Sequence, residues 1–588
     1  MKKRSCFFLM LVVLCGILCA CSQTTVQPKI RVTLAETDDF YVEENGLWVY
    51  PGENVCFTLR MNSGTELSGT DYSGDYYIWK EHGVTKLELR NVRFPTSIHA
   101  NVTRFYRRIT YAPNGGSGSI GTITYDTTIH TRPNTSTGTA LSREGYTLTS
   151  WNTAADGSGT RIGLGSRVTA PEEGMTLYAQ WAKWTIATDF SYTIQDGSIV
   201  ILRYFGSDAL VVIPENIDGL PVTAIASGAF SGTQIQSVVL PKSLVSVEAE
   251  AFDGCTLETL LLFDNLESFS DASFSDCVNL QTVYINAVEP PYGYAFRRES
   301  MFADKIDLLI NAAGQKKAVF YGGCSMWYNL NGQISQNALK DYVVINTAIN
   351  GTVNSWIQMQ IMEPYLESGD IFFHTPELPS KQQLMVIPDM GHNDDKLWCG
   401  LENNYDLFAL VDIRGIGGVF DTFCAYLSKK TEAADYRQQY TDSEGNIYMD
   451  ATGSLPFSRD VHSEELAETN LVSLDLEMLK SIGDTPLAEQ YRSYTDKGVY
   501  VYVSHASMDE SALTEEEREN IAEADRIFRE VIDGMDSPIV VSTLWDYLYD
   551  ESQFYDSAFH LLSTAADSNT AKWLRDLREQ MAKDGLLQ

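Results

Sequence analysis

Three dipeptides, Ala229-Phe230, Ala251-Phe252 and Ser273-Phe274, recur at one interval, and Gly254-Cys255 and Asp276-Cys277 follow the last two at the same offset. The first copy has Gly232-Thr233 at that place, and the apolar runs Val238-Val239-Leu240-Pro241 and Leu260-Leu261-Leu262 stand between copies. A fixed period marks a stacked architecture. One repeat cannot bury its apolar face alone, so its neighbours must cover it. The period predicts a short solenoid over 185–288, with Cys255 and Cys277 as inward packing residues rather than a functional thiol pair.

These residues, with the lead-in Val211-Val212-Ile213-Pro214, resemble the leucine-rich repeats of bacterial cell-surface proteins that carry an AFxGC signature. That resemblance implies surface protein or carbohydrate ligands, although three copies are few and also suit a spacer. Upstream, over 108–184, Asn114-Gly115 and Asp156-Gly157 separate β-rich runs, which is a hairpin signal. With Trp151-Asn152-Thr153 and Leu177-Tyr178-Ala179-Gln180-Trp181, this stretch resembles one B repeat of internalin-type surface proteins, a small β-grasp-like module. Trp151 and Trp181 are its expected core anchors. Residues 22–107 alternate apolar and polar positions between turn residues, as in Val55-Cys56-Phe57-Thr58-Leu59, and predict a small antiparallel β domain.

The chain of 588 residues opens with Lys2-Lys3-Arg4, an apolar run and Leu18-Cys19-Ala20-Cys21. This is a secretion signal over 1–21 rather than a fold element, and its end resembles the lipobox of bacterial lipoproteins. The resemblance implies acylation of Cys21 and an extracytoplasmic protein held at the cell membrane by a lipid anchor, at the cell surface. No other segment reaches the roughly 18 apolar residues a spanning helix needs. The formal net charge is −35, from 78 acidic and 43 basic residues, so nonspecific attraction to nucleic acid is disfavoured. Cys56, Cys255, Cys277, Cys324, Cys399 and Cys424 lack the spacing of a zinc site or a disulfide framework, and no metal or cofactor is expected.

Residues 289–315 read as a connection, and 316–588 alternate strand and helix. Apolar strands are expected at Ala318-Val319-Phe320-Tyr321, Tyr342-Val343-Val344-Ile345, Ile371-Phe372-Phe373, Val499-Tyr500-Val501-Tyr502-Val503 and Ile539-Val540-Val541. Thr514 to Glu517 fits a capping box before a helix whose Ile521, Ala524, Ile527, Phe528, Val531 and Ile532 share one face. Continuous apolar strands separated by amphipathic helices imply a mainly parallel sheet covered on both sides. Sites on such sheets lie at the carboxyl ends of the strands. There Ser325 follows Tyr321-Gly322-Gly323-Cys324, where glycines permit a tight strand-to-helix turn. A serine needs a base and a carboxylate that orients it, and Asp556 and His560 are the candidates.

These blocks resemble the SGNH (GDSL-type) hydrolase superfamily. A chain of this length is expected to be multidomain, with all-β modules and short repeats first, and the resemblance implies that the last domain is a three-layer α/β fold of flavodoxin-like type. It also implies a catalytic Ser325, His560 as base and acid, Asp556 as its orienting carboxylate, and oxyanion donors from the Ser325 and Ala348 amides, with Asn346 and Asn350 as replacement donors. Two departures stand out. The family's Gly-x-Asn-Asp is replaced by His374-Thr375-Pro376-Glu377, leaving Glu377 without an assigned role, and Asp-x-x-His has become Asp556-x-x-x-His560. Two functions follow: an ester hydrolase or acyl transferase acting on acylated envelope or environmental polysaccharide, or an adhesion or scaffold lipoprotein whose last domain is inactive.

Overall fold

In the computed structural model the described residues are 28–587 except 36, 38, 62–64, 82–83, 105, 127–136, 169, 172, 289–300, 350, 352, 382, 387–388, 391–394, 402–403, 431–448, 456–471, 536 and 556. The chain forms two compact units, Met1–Tyr106 with Asp126–Thr131, and the remainder. The first is a β domain. Its four-stranded antiparallel sheet has Glu53–Met61 and Val84–Val92 at the centre. Alternation sends Val55, Phe57 and Leu59 inward beside Leu87 and Leu89 of the neighbouring strand, against Val32 of a second sheet.

The second unit holds three modules that share buried surface. In the first, Ile109 pairs with Met175 in parallel and Trp151 with Ala179 in antiparallel register. Trp151 is fully buried against Tyr111, with ring centroids 4.8 Å apart. Trp181 is only half-buried and donates its indole N–H to the Pro113 carbonyl, so it pins a turn rather than anchoring the core. Strands Leu210–Val212, Ser237–Val239, Thr259–Phe263 and Thr282–Asn286 then stack in parallel register. Behind them Phe230, Phe252 and Phe274 form a ladder with centroid spacings of 4.7 and 5.2 Å, close to the separation of neighbouring strands. Cys255 and Cys277 point inward as expected, their Sγ atoms 3.2 Å apart.

The segment read as a connection contains helix α1, Met301–Asn311, which is part of the last module: Phe302, Ile306 and Leu309 are fully buried in its core. Next come β1 (Lys317–Gly322), α2 (Cys324–Asn329), α3 (Gly332–Ala338), β2 (Val343–Asn346), α4 (Ser355–Met362), β3 (Ile371–Thr375), α5 (Asp395–Leu401), α6 (Val419–Lys430), α7 (Leu476–Ser481), α8 (Pro486–Asp496), β4 (Tyr500–Val503), α9 (Glu515–Asp533), β5 (Ile539–Val540) and α10 (Ser563–Lys583). All five strands are parallel, in the doubly wound order β2-β1-β3-β4-β5.

Alternation divides the core in two. Ala318, Phe320, Ile371, Phe373 and Tyr502 face α2 and α10, whereas Val319, Tyr321, Phe372, Val501 and Val503 join the core that includes α4, α8 and α9. The expected capping box is present, with Thr514 accepting from the Glu517 N–H and Glu517 from the Thr514 N–H. Ile521, Ala524, Ile527, Phe528 and Ile532 are buried as the periodicity requires, and Val531 is half-buried.

At the amino end of the sheet the fully buried Lys317 lies 3.0 Å from the buried Asp370 and 2.9 Å from the exposed Glu367. Asp370 also accepts the Lys317 N–H at 2.8 Å. Removing one member of a buried pair leaves its partner uncompensated, which costs about 3–5 kcal/mol, while an exposed partner contributes about 1 kcal/mol or less. Asp370→Ala is therefore expected to lower the unfolding free energy several times more than Glu367→Ala, as urea denaturation followed by tryptophan fluorescence will measure.

Candidate active site

Ser325 sits one residue inside α2, directly past the carboxyl end of β1. The two glycines before it serve space rather than backbone freedom. Gly323 has φ −85°, and neither glycine is among the residues with positive φ. A Cβ on Gly322 would lie 2.7 Å from the Thr375 carbonyl oxygen, and one on Gly323 would lie 2.5 Å from Glu377 Oε1. The glycines let the ends of β1 and β3 close on each other. The backbone freedom expected of glycines in a tight turn is thus replaced by a packing reason.

Ser325 is fully buried, and its Oγ makes no hydrogen bond among the described residues. Its backbone N–H donates to Glu377 Oε1 at 2.9 Å, and the Cys324 thiol lies 3.5 Å from the same oxygen. Glu377 is itself buried. Its N–H donates to Gln383 Oε1 at 2.9 Å, so the loop after β3 folds back over the start of α2.

His560 lies against the same helix. Its ring stacks on Tyr328 with centroids 3.8 Å apart and planes 5° from parallel. Asn329, one residue on, donates from Nδ2 to the Phe559 carbonyl at 2.6 Å and accepts the Leu561 N–H on Oδ1 at 2.8 Å. The peptides on both sides of His560 are thus held by one side chain. Positions three and four residues beyond Ser325 share its side of a helix, so α2 presents Ser325, the ring under His560 and the clamp on His560 together. Tyr555 closes the loop by donating its N–H to the His560 carbonyl at 2.7 Å. Asp556, Asn350 and Cys21 lie outside the described residues.

The remaining expected oxyanion donors are turned inward. The Ala348 N–H donates to Asn346 Oδ1 at 3.1 Å, while Asn346 Nδ2 reaches the Met326 carbonyl at 3.4 Å and Ser454 Oγ at 3.3 Å. The Ala348 carbonyl accepts from Lys305 Nζ of α1 at 2.5 Å. Burial pushes the Lys305 ammonium well below its ordinary pKa, opposed by the charge of Asp450, and the amine lies 5.2 Å from the centre of the Trp327 ring.

Two other histidines belong elsewhere. His374 of β3 faces the opposite layer, with Nδ1 2.6 Å from the Tyr491 hydroxyl. His505 follows β4 and turns to α9, with Nε2 3.3 Å from Asp525 and its ring against Phe528. Asn329 and Lys305 were missed by sequence reasoning: Asn329 is the polar end of an otherwise apolar run, and Lys305 lies in the presumed connection. The acidic residue just beyond the third strand was a visible signal for Glu377, but its partner was not.

Comparison with known proteins supports the upstream modules. A family model described as BspA type leucine rich repeat region matches residues 216–347 in six copies, and one described as Listeria-Bacteroides repeat domain matches residues 108–180. The chain therefore carries both repeat types, which are typical of bacterial surface proteins. The first match runs past the last stacked repeat strand into β1 and β2, which belong to the parallel sheet.

Among solved structures, a leucine-rich repeat protein of T. pallidum is 38% identical over 18% of this chain and 51% of its own, with a TM-score of 0.17. The chain thus spans about half of that protein's length. A leucine-rich repeat protein from Bacteroides capillosus is 22% identical over 17% of this chain and 97% of its own, with a TM-score of 0.14. No curated protein matches the chain. Among the described residues no helix is long and apolar enough to cross a membrane.

Two measurements probe this region. Asn329→Ala strands the Leu561 N–H and the Phe559 carbonyl, at about 1–3 kcal/mol for each buried group left unsatisfied. It is expected to lower the urea midpoint and to expose the 559–561 segment to faster amide hydrogen exchange. Burial of His374 lowers its pKa from 6.5 to about 3. Below about pH 6.5 the unfolded chain binds a proton that the folded chain refuses, so stability is full above that pH and falls towards pH 3. The expected slope is up to ~1.4 kcal/mol per pH unit. Urea unfolding between pH 7.5 and 4.5 will measure it, and His374→Gln should remove that part of the slope.

Proposed function

We propose that the C-terminal domain is a divergent hydrolase of the SGNH type, flavodoxin-like in its strand order, and that it cleaves or transfers acyl groups on cell-envelope or environmental polysaccharide. The observation that carries this reading is the organisation of α2: a buried serine directly beyond the first strand, with the imidazole-bearing segment 559–561 clamped to the same helix by Asn329. Ser325 Oγ attacks the acyl carbon while His560 takes its proton. The carbonyl π electrons move to oxygen, and the tetrahedral intermediate collapses as His560 returns the proton to the departing alkoxide. Water or a second hydroxyl then releases the acyl group by the same steps. Asp556 orients His560. Cys21, acylated after removal of the signal segment, anchors the protein at the outer face of the cell membrane, and the repeats engage surface polysaccharide or protein.

A non-catalytic adhesion or scaffold lipoprotein is the second reading, favoured by the carboxylate of Glu377 on the Ser325 amide. Hydrolysis of short-chain aryl esters by the full-length chain in detergent separates the two. The hydrolase reading expects turnover that falls by about 10³-fold or more in Ser325→Ala and His560→Ala, the scale of loss on removing a member of such a catalytic unit. Equal rates in wild type and both variants would sink it.

A further inference from the structure

In any acyl transfer from a serine, the negative oxygen of the tetrahedral intermediate must be met by preorganised donors. The N–H of the attacking serine is ideally placed to be one of them. Here that N–H is already taken: Glu377 Oε1 accepts it at 2.9 Å. Oε1 occupies the place from which a second oxygen would accept that N–H, so the two compete for one donor.

The placement is built in by several residues. The other carboxylate oxygen, Oε2, would lie 2.4 Å from a Cβ on Gly351, and Oε1 would lie 2.5 Å from one on Gly323. Glycines therefore wall the slot that holds the side chain. The turn after β3 is latched over it: the Ser380 N–H donates to the Glu377 carbonyl at 2.8 Å, Ser380 Oγ donates to the Gly351 carbonyl at 2.9 Å, and Gln383 Nε2 reaches that same carbonyl at 3.4 Å.

We propose that Glu377 is an internal stand-in for the oxyanion, its carboxylate holding Ser325 latent until an acyl substrate displaces that side chain and takes over the Ser325 N–H. This rests on the hydrolase reading and adds its control: Glu377 is a gating residue that neither bonds to substrate nor transfers a proton. Once it has withdrawn, attack forms the Oγ–carbon bond, the oxyanion occupies the place of Oε1, and the Oγ proton passes to His560.

The test is the rate of covalent labelling of the full-length chain by an alkyl fluorophosphonate. In that reaction Oγ bonds to phosphorus, fluoride leaves and the Oγ proton passes to His560. Wild type, Glu377→Gln, Glu377→Ala, and Glu377→Ala combined with Ser325→Ala are compared, with near-UV circular dichroism to confirm the fold. The expected result is faster labelling in Glu377→Ala, by about 10²-fold on the scale set by one oxyanion donor, and a smaller gain in Glu377→Gln, whose amide oxygen still accepts the N–H but carries no charge. The doubly substituted chain should not label.

Unchanged or slower labelling of folded Glu377→Ala would overturn the proposal and leave the hydrolase reading standing so long as wild type labels at Ser325. Absence of labelling in every variant removes both readings together.

Discussion

The buried pair of Lys317 and Asp370 sets the register on which the site depends. It joins the start of β1 to the residue before β3, and from there the two central strands run in parallel until Gly322 lies beside Thr375. Side chains alternate with a period of two, so a slip of one residue would exchange the faces of β3. His374 would then enter the α2 layer, and Phe373 the layer that now accommodates the Tyr491 hydroxyl. A buried ion pair is weak evidence for stability, because the desolvation of both charges offsets their attraction. Its value here is specificity: one alignment satisfies the ammonium, and that alignment brings Glu377 to the Ser325 amide.

Helix α2 is short, yet three of its six residues act on the same locus. Ser325, Tyr328 and Asn329 depend on two distant segments: Ser325 on the loop after β3, and the other two on the ring of His560 and the peptides around it. The helix is fixed more by those contacts and by the apolar burial of Met326 and Trp327 than by its own hydrogen bonds, since so short a helix is marginal alone. The placement of these side chains and the folding of this corner are therefore coupled. Changes that loosen the clamp move the imidazole and the serine relative to each other.

Much of the architecture was legible along the chain. The recurring Phe230, Phe252 and Phe274 reported a stack because identical side chains on identical turns must meet. The strands of the parallel sheet were visible as uninterrupted apolar runs, and the capping box before α9 is a local exchange between Thr514 and Glu517. Local spacing fails where a side chain's partner lies far away in sequence. Trp181 looked equivalent to Trp151 but sits at the margin of its module. Helix α1 was hidden because its start adjoins a stretch without clear periodicity, and its lysine meets the Ala348 carbonyl 43 residues further along the chain. Asn346 and Ala348 were read as donors to a ligand. In the fold each finds a protein partner first, which is the commoner fate of a buried polar group.

The open end of the repeat stack has a further consequence. Phe274, the last rung, is covered by Phe420 at 4.3 Å, and the Phe420 N–H donates to Asp271 at 2.7 Å. Two modules upstream, Arg161 pairs with Asp406 at 2.6 Å and Arg167 with Asp304 at 2.5 Å. The α/β domain thus doubles as the terminal cap of the solenoid and as counter-charge for the module before it. Recombination that carried only this domain into another gene would transplant an unmatched apolar face and orphaned carboxylates, so the three modules are expected to travel through evolution as a single heritable block.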